Sequence, residues 1–516
     1  MANNKSIVDI NIQPDNAASS KLGPALRTIL VLSFLVFLVS LFGREITLDD
    51  AYFAERSYWF EKNGYVKSEL FRGVLDWGER SFVYHKMHIW QGALLIKLVG
   101  WGPYYFKSLP LLYLIVFVVI ARVYFKNFIT RDRTVFYLFL TLLFVHTFIS
   151  QYGFEFRPEI MIMSVGFGSF LGIRYGLTRN NLNYIILAGV LAGVAALFHL
   201  NGLIFITAGL GLLVVNKAYR PALAFGIASA LVFSVYFLEL IPADNFTQYL
   251  DEFKNNPAIS EDELGIWGWL LKVATGPERY FSHLYEASFT ILFLYSLILN
   301  WKKIVQTAEL KQVLLYLLLL ELALSIIAPG AKTMYLTYHI PYMLIVISST
   351  FYLTLKQDLH RNIFFFLLVL FAGTQYGHTY SIATKNRNTH PDTHATIVEK
   401  YHINKDHKIL SPEIFIFNEI ENAKIQGFTS VRMTYGEQVF STLDSLLDFA
   451  FANSDDYVIL NEEIMAETGA GALEPGIRVN QYQLAGAEEG LYIFRNMTDN
   501  SNRSTSINPA QGNRFR

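Results

Sequence analysis

The chain has 516 residues, of which 53% are apolar, 15% aromatic and only 16% charged. Soluble domains carry about a quarter charged residues, so a soluble protein is excluded and a polytopic membrane protein is expected. A formal net charge of −1 argues against a nucleic-acid partner, and the absence of cysteine excludes disulfides, thiolate metal sites and cysteine nucleophiles.

Residues 1–26 read as a cytoplasmic tail, too long and mixed for a signal peptide. The apolar run that follows has no small-residue cleavage signal and is read as a retained first span. Spans are expected at 27–42, 104–124, 134–152, 158–176, 184–198, 202–215, 221–241, 284–301, 310–328, 335–355 and 363–380, about eleven in all, from apolar runs matched to a hydrocarbon core of roughly 30 Å. The stretch 184–215 is too long for one span and is interrupted by His199, Asn201 and Gly202. It is divided into two short helices joined by a tight turn. Between the first two spans, the loop 44–103 holds two aromatic-rich stretches, 50–62 and 88–99, expected to lie as amphipathic helices in the headgroup plane and to roof a cavity open sideways to lipid. Residues 381–497 change character, with a β-type run at 457–460 and a hairpin pattern at 481–484 and 491–494. They are assigned to a small extracytoplasmic α/β domain. Residues 498–516, rich in Asn, Ser, Pro and Arg, are expected to be disordered.

Lysine and arginine set the orientation. Every second loop is basic: Arg122, Lys126, Arg131 and Arg133; Arg174 and Arg179; Lys217 and Arg220; Lys302, Lys303 and Lys311; Lys356 and Arg361. The positive-inside rule places these loops in the cytoplasm with the N-terminus. The alternate segments then share the outer face, and Asp49, Asp50, Lys86, Arg157, Glu159, His199 and Lys332 converge there from separate loops.

The paired carboxylates Asp49 and Asp50 open the first external loop, where a charge at the water boundary is not explained by bilayer packing. Capping of the following helix by Thr47, Asp49 or Asp50 is the rival reading, worth roughly 1 kcal/mol. Arg157-Pro158-Glu159 begins a span, where Pro and an acid are also ordinary helix-start residues. A guanidinium there can nevertheless hold a phosphate bidentately. Lys86 and Lys332 are external cations beside apolar segments, suited either to a phosphate or to snorkelling. His85 and His88, three apart, form with Asp49 or Asp50 a candidate set for a divalent ion. Glu321 falls mid-span, where a charge costs at least about 2.5–3.5 kcal/mol; it is expected to face the bundle interior, paired or protonated, without a catalytic role.

Several segments resemble the GT-C glycosyltransferases, integral-membrane enzymes that use polyprenyl-phosphate-linked sugars, including the aminoarabinose and mannosyl transferases. Thr47-Leu-Asp-Asp-Ala-Tyr52 is similar to the family's acidic pair and tyrosine. Tyr84-His-Lys86 resembles its Tyr-x-Lys-Pro-Pro segment, with Met87 and His88 in place of the prolines. Phe156-Arg-Pro-Glu159 resembles its second loop, and Lys332-Thr-Met-Tyr335, with Tyr338 and Pro341, its late Lys-x-x-x-Tyr stretch. His199-Leu-Asn-Gly202 is similar to the turn between its paired short helices. The resemblance covers roughly residues 25–380.

It implies a GT-C-like membrane domain, 27–380, that moves a sugar with inversion from a polyprenyl phosphate to a protein, lipid or glycan acceptor on the outer side of a bacterial inner membrane. Asp49 and Asp50 would be catalytic, Asp49 as base. Lys86, Arg157, Lys332 and Tyr335 would bind the donor phosphate, while Glu159, Tyr52 and His199 would orient the acceptor or a metal ion. A transporter or flippase of a lipid-linked substrate would need the same cavity and cations, but the inverted repeats common in transporters are not found. A lipid-linked glycan ligase or polymerase shares the chemistry and differs in cargo size.

Overall fold

A computed structural model describes residues 16–256, 265–330, 332–355, 358–384, 391–421, 423–471 and 473–498. The tail expected to be cytoplasmic falls mostly, and the one expected to be disordered almost wholly, outside the described residues. The chain opens with α1 (Asn16–Phe42), followed by the loop helices α2 (Leu48–Asn63) and α3 (Lys86–Val99). The apolar bundle continues through α4 (Pro103–Tyr124), α5 (Arg133–Val145), α6 (Thr147–Tyr152), α7 (Glu159–Arg179), α8 (Leu182–Phe198), α9 (Leu203–Val215) and α10 (Tyr219–Phe233). Then come α11 (Ala243–Asn255), α12 (Gly265–Thr275), α13 (Leu284–Leu299), α14 (Trp301–Gln306), α15 (Ala308–Ile327), α16 (Ile340–Leu355) and α17 (Asp358–Thr384).

Among the described residues, six helices are long and apolar enough to cross a bilayer, or seven if the pair 265–280 and 284–299, bent by 83°, is one span. Four further apolar helices, within α5, α8, α9 and α16, are shorter. The expected set of about eleven apolar segments therefore includes several that do not reach span length alone. Two histidines explain part of this. His199 adopts extended geometry (φ −163°, ψ 144°), and its Nδ1 accepts the Asn201 N–H at 2.9 Å, so α8 and α9 meet at a sharp turn as expected. Gly202 is needed there because a Cβ would collide with the Ala195 carbonyl. The expected single span at 134–152 is broken in the same way: His146 (φ −66°, ψ 122°) ends α5 and caps α6, its Nδ1 taking the Phe148 N–H at 3.3 Å.

The loop helices also depart in part from expectation. Thr47 and Asp50 form a reciprocal capping box at the start of α2, a device that satisfies two orphan N–H groups. However, α2 buries Ala51, Phe53, Ala54, Arg56 and Tyr58 inside the protein. The C-terminal domain covers it, with the Tyr58 hydroxyl donating to Glu421 at 2.9 Å. Helix α3 fits the interfacial reading better, exposing Leu94, Leu98 and Val99 along one face.

The C-terminal domain is a six-stranded mixed sheet. Its strands are β1 (Lys408–Ser411), β2 (Lys424–Gly427), β3 (Tyr457–Asn461), β4 (Arg478–Val479), β5 (Tyr482–Glu488) and β6 (Leu491–Asn496), in the order β2-β1-β3-β6-β5-β4. Strands β1, β2 and β3 are parallel; β3, β6, β5 and β4 are antiparallel. The expected hairpin is β5–β6, turning at Glu489 and Gly490 with positive φ at both, as a tight two-residue turn requires. Side chains alternate across the sheet. Ile409, Ile459 and Ile493 face the membrane-domain core, and Leu410, Leu460 and Phe494 face a second core with Leu446 and Leu447. One sheet face thus fixes this domain onto the bundle.

Candidate active site

The two neighbouring aspartates have different surroundings. Asp50 is fully buried. Its Oδ2 accepts the Thr47 N–H at 2.9 Å and the Lys107 ammonium at 2.9 Å, and its Oδ1 accepts the Phe156 N–H at 2.6 Å. Lys107, near the start of α4, also donates to the Glu45 carbonyl at 2.7 Å. Asp50 therefore locks α2, α4 and the 151–157 loop together, and its oxygens are committed to those contacts. Lys107 is not among the residues singled out from the sequence; the signal that could have found it is a lysine one turn inside an apolar span, which needs a partner.

Asp49 keeps 34% of its side-chain surface open and pairs through Oδ2 with Arg157 Nη1. Arg157 in turn holds Glu159 with two bonds, Nε to Oε2 at 3.1 Å and Nη2 to Oε1 at 2.9 Å, and its Nη2 rests 3.0 Å from the Met334 sulfur. Burial pushes the Asp49 carboxyl above the ordinary carboxylate range, against the pull of Arg157. Burial opposes the Arg157 charge, but Glu159 and then Asp49 more than offset it and hold the guanidinium protonated.

Around this cluster stand His199, Tyr335 and Glu155. Burial lowers His199 to about 4, so the ring is neutral, and Glu159, Arg157 and Lys332 all act on it. Glu155 is buried, accepts the Thr47 hydroxyl at 3.2 Å, and is pushed up to about 8 by burial, with Arg157 opposing and the neighbouring carboxylates adding. It does not appear among the sequence candidates. Tyr52 lies beneath the Arg56 guanidinium, 4.1 Å from its ring centre, and burial lifts its hydroxyl to about 12.

The structure thus gathers Asp49, Arg157, Glu159, His199 and Tyr335 from distant segments. Lys332 stands exposed at the start of the 333–338 turn. Lys86 is buried at the edge of the cluster, its ammonium 3.1 Å from Glu239 and over the Tyr84 ring, while the adjacent His85 ring lies tilted by 35° against that of His199 with ring centres 4.2 Å apart. Glu239 also does not appear among the sequence candidates; it falls within the span expected at 221–241. The candidate metal set of Asp49 or Asp50 with His85 and His88 is not assembled. His88 faces the Phe156 carbonyl and the Met161 sulfur, each at 3.4 Å, and among the described residues no three His, Cys, Asp or Glu side chains are grouped to hold a metal ion. Glu321 accepts the Tyr280 hydroxyl at 2.7 Å and lies 3.4 Å from His339 Nε2, paired as expected.

No protein-family model matches the chain, and no curated protein matches its sequence. Solved structures do. ArnT from Cupriavidus metallidurans, bound to undecaprenyl phosphate, superposes with a TM-score of 0.55 at 14% identity, covering 91% of this chain and 98% of that one. Archaeal oligosaccharyltransferase AglB from Archaeoglobus fulgidus, in complex with an inhibitory peptide and a dolichol-phosphate, gives a TM-score of 0.53 at 10% identity over 86% and 70%. Arabinofuranosyltransferase AftD from Mycobacteria gives 0.50 at 12% identity over 92% and 40%. The chain has the GT-C fold. As a GT-C-fold chain it is a multi-pass membrane protein, and the similarity to ArnT includes the C-terminal domain, since almost the whole of both chains is matched.

Proposed function

We propose that this protein is a membrane glycosyltransferase that moves a sugar from a polyprenyl-phosphate donor to an acceptor hydroxyl on the extracytoplasmic side, with inversion. The observation that carries the reading is Asp49: a partly open carboxylate held by an arginine whose Nε and Nη2 are committed to Glu159. The bound lipid phosphates of ArnT and AglB support the donor class. The alternation of basic loops supports placing the cluster outside, in a bacterial inner membrane with the N-terminus in the cytoplasm.

In this reading Asp49 takes the proton of the acceptor hydroxyl as its oxygen attacks the anomeric carbon. The bond from that carbon to the phosphate oxygen breaks, and the phosphate leaves with the electron pair. A single displacement inverts the anomer. Arg157 and Lys332 stabilise the charge developing on the leaving phosphate, which fixed cations do well in a site poor in water. Glu159 fixes the plane of Arg157 through Nε and Nη2, so the guanidinium acts on the phosphate by its charge rather than through an open fork. His199 Nδ1 already accepts a backbone N–H, leaving its proton on Nε2 to donate to a sugar oxygen. Tyr335 and Lys86 line the donor side, Tyr52 the acceptor side, and Asp50 is a positioning residue that sets the carboxylate beside it.

The test is incubation of the purified protein with labelled polyprenyl-phosphate sugar. Release of the bare polyprenyl phosphate, with the sugar found on an acceptor in inverted configuration, is expected. Intact donor carried across a vesicle membrane without cleavage would replace this reading with transport.

A further inference from the structure

Two adjoining cavities remain beside the cluster. One is a mostly apolar groove of ≈ 1170 Å³ between α1 and α17, walled by Leu32, Val36, Val39, Tyr376, Tyr380 and Ala383. The other is a polar pocket of ≈ 330 Å³ that includes Thr47, Gln151, Tyr152, Glu155, Thr333 and His378. Arg44 and Glu45 line both, so the two share a wall. The pocket neighbours the candidate centre through three of its lining residues: Thr47 caps the helix that carries Asp49, Arg157 sits over Tyr152 with 5.5 Å to the ring centre, and Thr333 precedes the Met334 that touches Arg157.

A groove with apolar walls that ends in a polar chamber matches an amphiphile. The charges decide which one. The cations of the chamber are largely spent: Lys107 on Asp50 and the Glu45 carbonyl, and Arg44 Nη1 and Nη2 on the Ser150 and Gln151 carbonyls and Ser40. Glu45 and Glu155 stand among them. A phosphate would meet the Glu45 carboxylate here without a free guanidinium fork, whereas an uncharged hydroxylated headgroup would find hydroxyls, an amide and one spare donor. That donor is Arg44 Nε, buried and without a partner among the described residues.

We propose that the groove and pocket together bind the acceptor, and that the acceptor is a lipid. Its apolar chains lie between α1 and α17, and its sugar-like, uncharged headgroup fills the pocket and offers a hydroxyl to Asp49. This rests on the transferase reading and names its acceptor class.

The test uses the full-length protein in phosphatidylcholine nanodiscs and a photoreactive dodecyl glucoside with a diazirine at its chain end. Labelling is expected on peptides spanning residues 29–43 and 376–384, above that by a diazirine dodecane without the sugar and unaffected by excess undecaprenyl phosphate. Ala383→Trp, and separately Val39→Trp on the outward wall in case the first misfolds, should each lower the labelling about tenfold while donor binding is kept. Displacement by undecaprenyl phosphate would make this the donor's route, and equal labelling by the headless probe would make it annular lipid; either overturns the proposal. The readout needs no turnover. A protein that labels as expected but never transfers sugar loses the transferase reading, and one that transfers sugar but does not label loses only the lipid acceptor.

Discussion

Two arginine–carboxylate clusters sit on one helix, and their difference separates structure from chemistry. Arg157 precedes α7 and Arg174 lies near its other end, about 25 Å away at 1.5 Å per residue. Arg174 grips Glu309 with Nε and Nη2 at 2.7–3.2 Å, and the Tyr124 hydroxyl adds a bond to the same carboxylate at 2.7 Å. Both side chains are nearly closed to solvent, at 11% and 10% exposure. Arg157 has the same two-pronged grip on Glu159 but adds a third group, Asp49, that stays partly open. A cluster closed to solvent holds helices together, and one with a partly open carboxylate has something left to do.

The comparison breaks most sharply under substitution. Asp49→Asn is expected to lower transfer by a factor on the order of 10²–10⁴, the usual worth of a general base, while the melting temperature barely moves. Arg174→Ala should do the reverse, costing about 3–5 kcal/mol in stability because Glu309 is left buried without its partner, with activity per folded molecule retained. Thermal unfolding beside the turnover assay checks both. Arg157→Ala should weaken donor saturation strongly and Lys86→Ala more weakly, since the Lys86 ammonium already has Glu239; unchanged donor saturation in both would move the phosphate site elsewhere.

A further effect is in pH. The Glu155 carboxyl is raised in the fold to about 8 from about 4.5, so the protonated form is the one the fold favours. The stability it contributes is complete below about 4.5 and is lost as pH rises through about 8. Glu155→Gln should flatten that decline in melting temperature across the same window, and an unchanged slope would show that the group titrates normally.

The sequence made some of this visible and hid the rest for physical reasons. Apolar runs announced the bundle, and the polar interruption at His199 marked the α8–α9 turn because a charged or hydrogen-bonding side chain is costly mid-membrane. His146 was overlooked since it lacks such neighbours and acts by capping its own backbone. Asp49 and Arg157 were legible as boundary charges, but that Asp50 turns to Lys107 and Lys86 to Glu239 depends on pairings 57 and 153 residues apart, which no local pattern encodes. Helix α2 read as interfacial because its aromatics are many; Phe53 packs on His88 and Phe156, and the carboxylate that takes the Tyr58 hydroxyl comes 363 residues later.

The most direct test of the central claim is turnover of labelled polyprenyl-phosphate sugar by purified, folded Asp49→Asn. The account predicts that cleavage of the donor all but stops while the donor still binds. Turnover at the unsubstituted rate would contradict it.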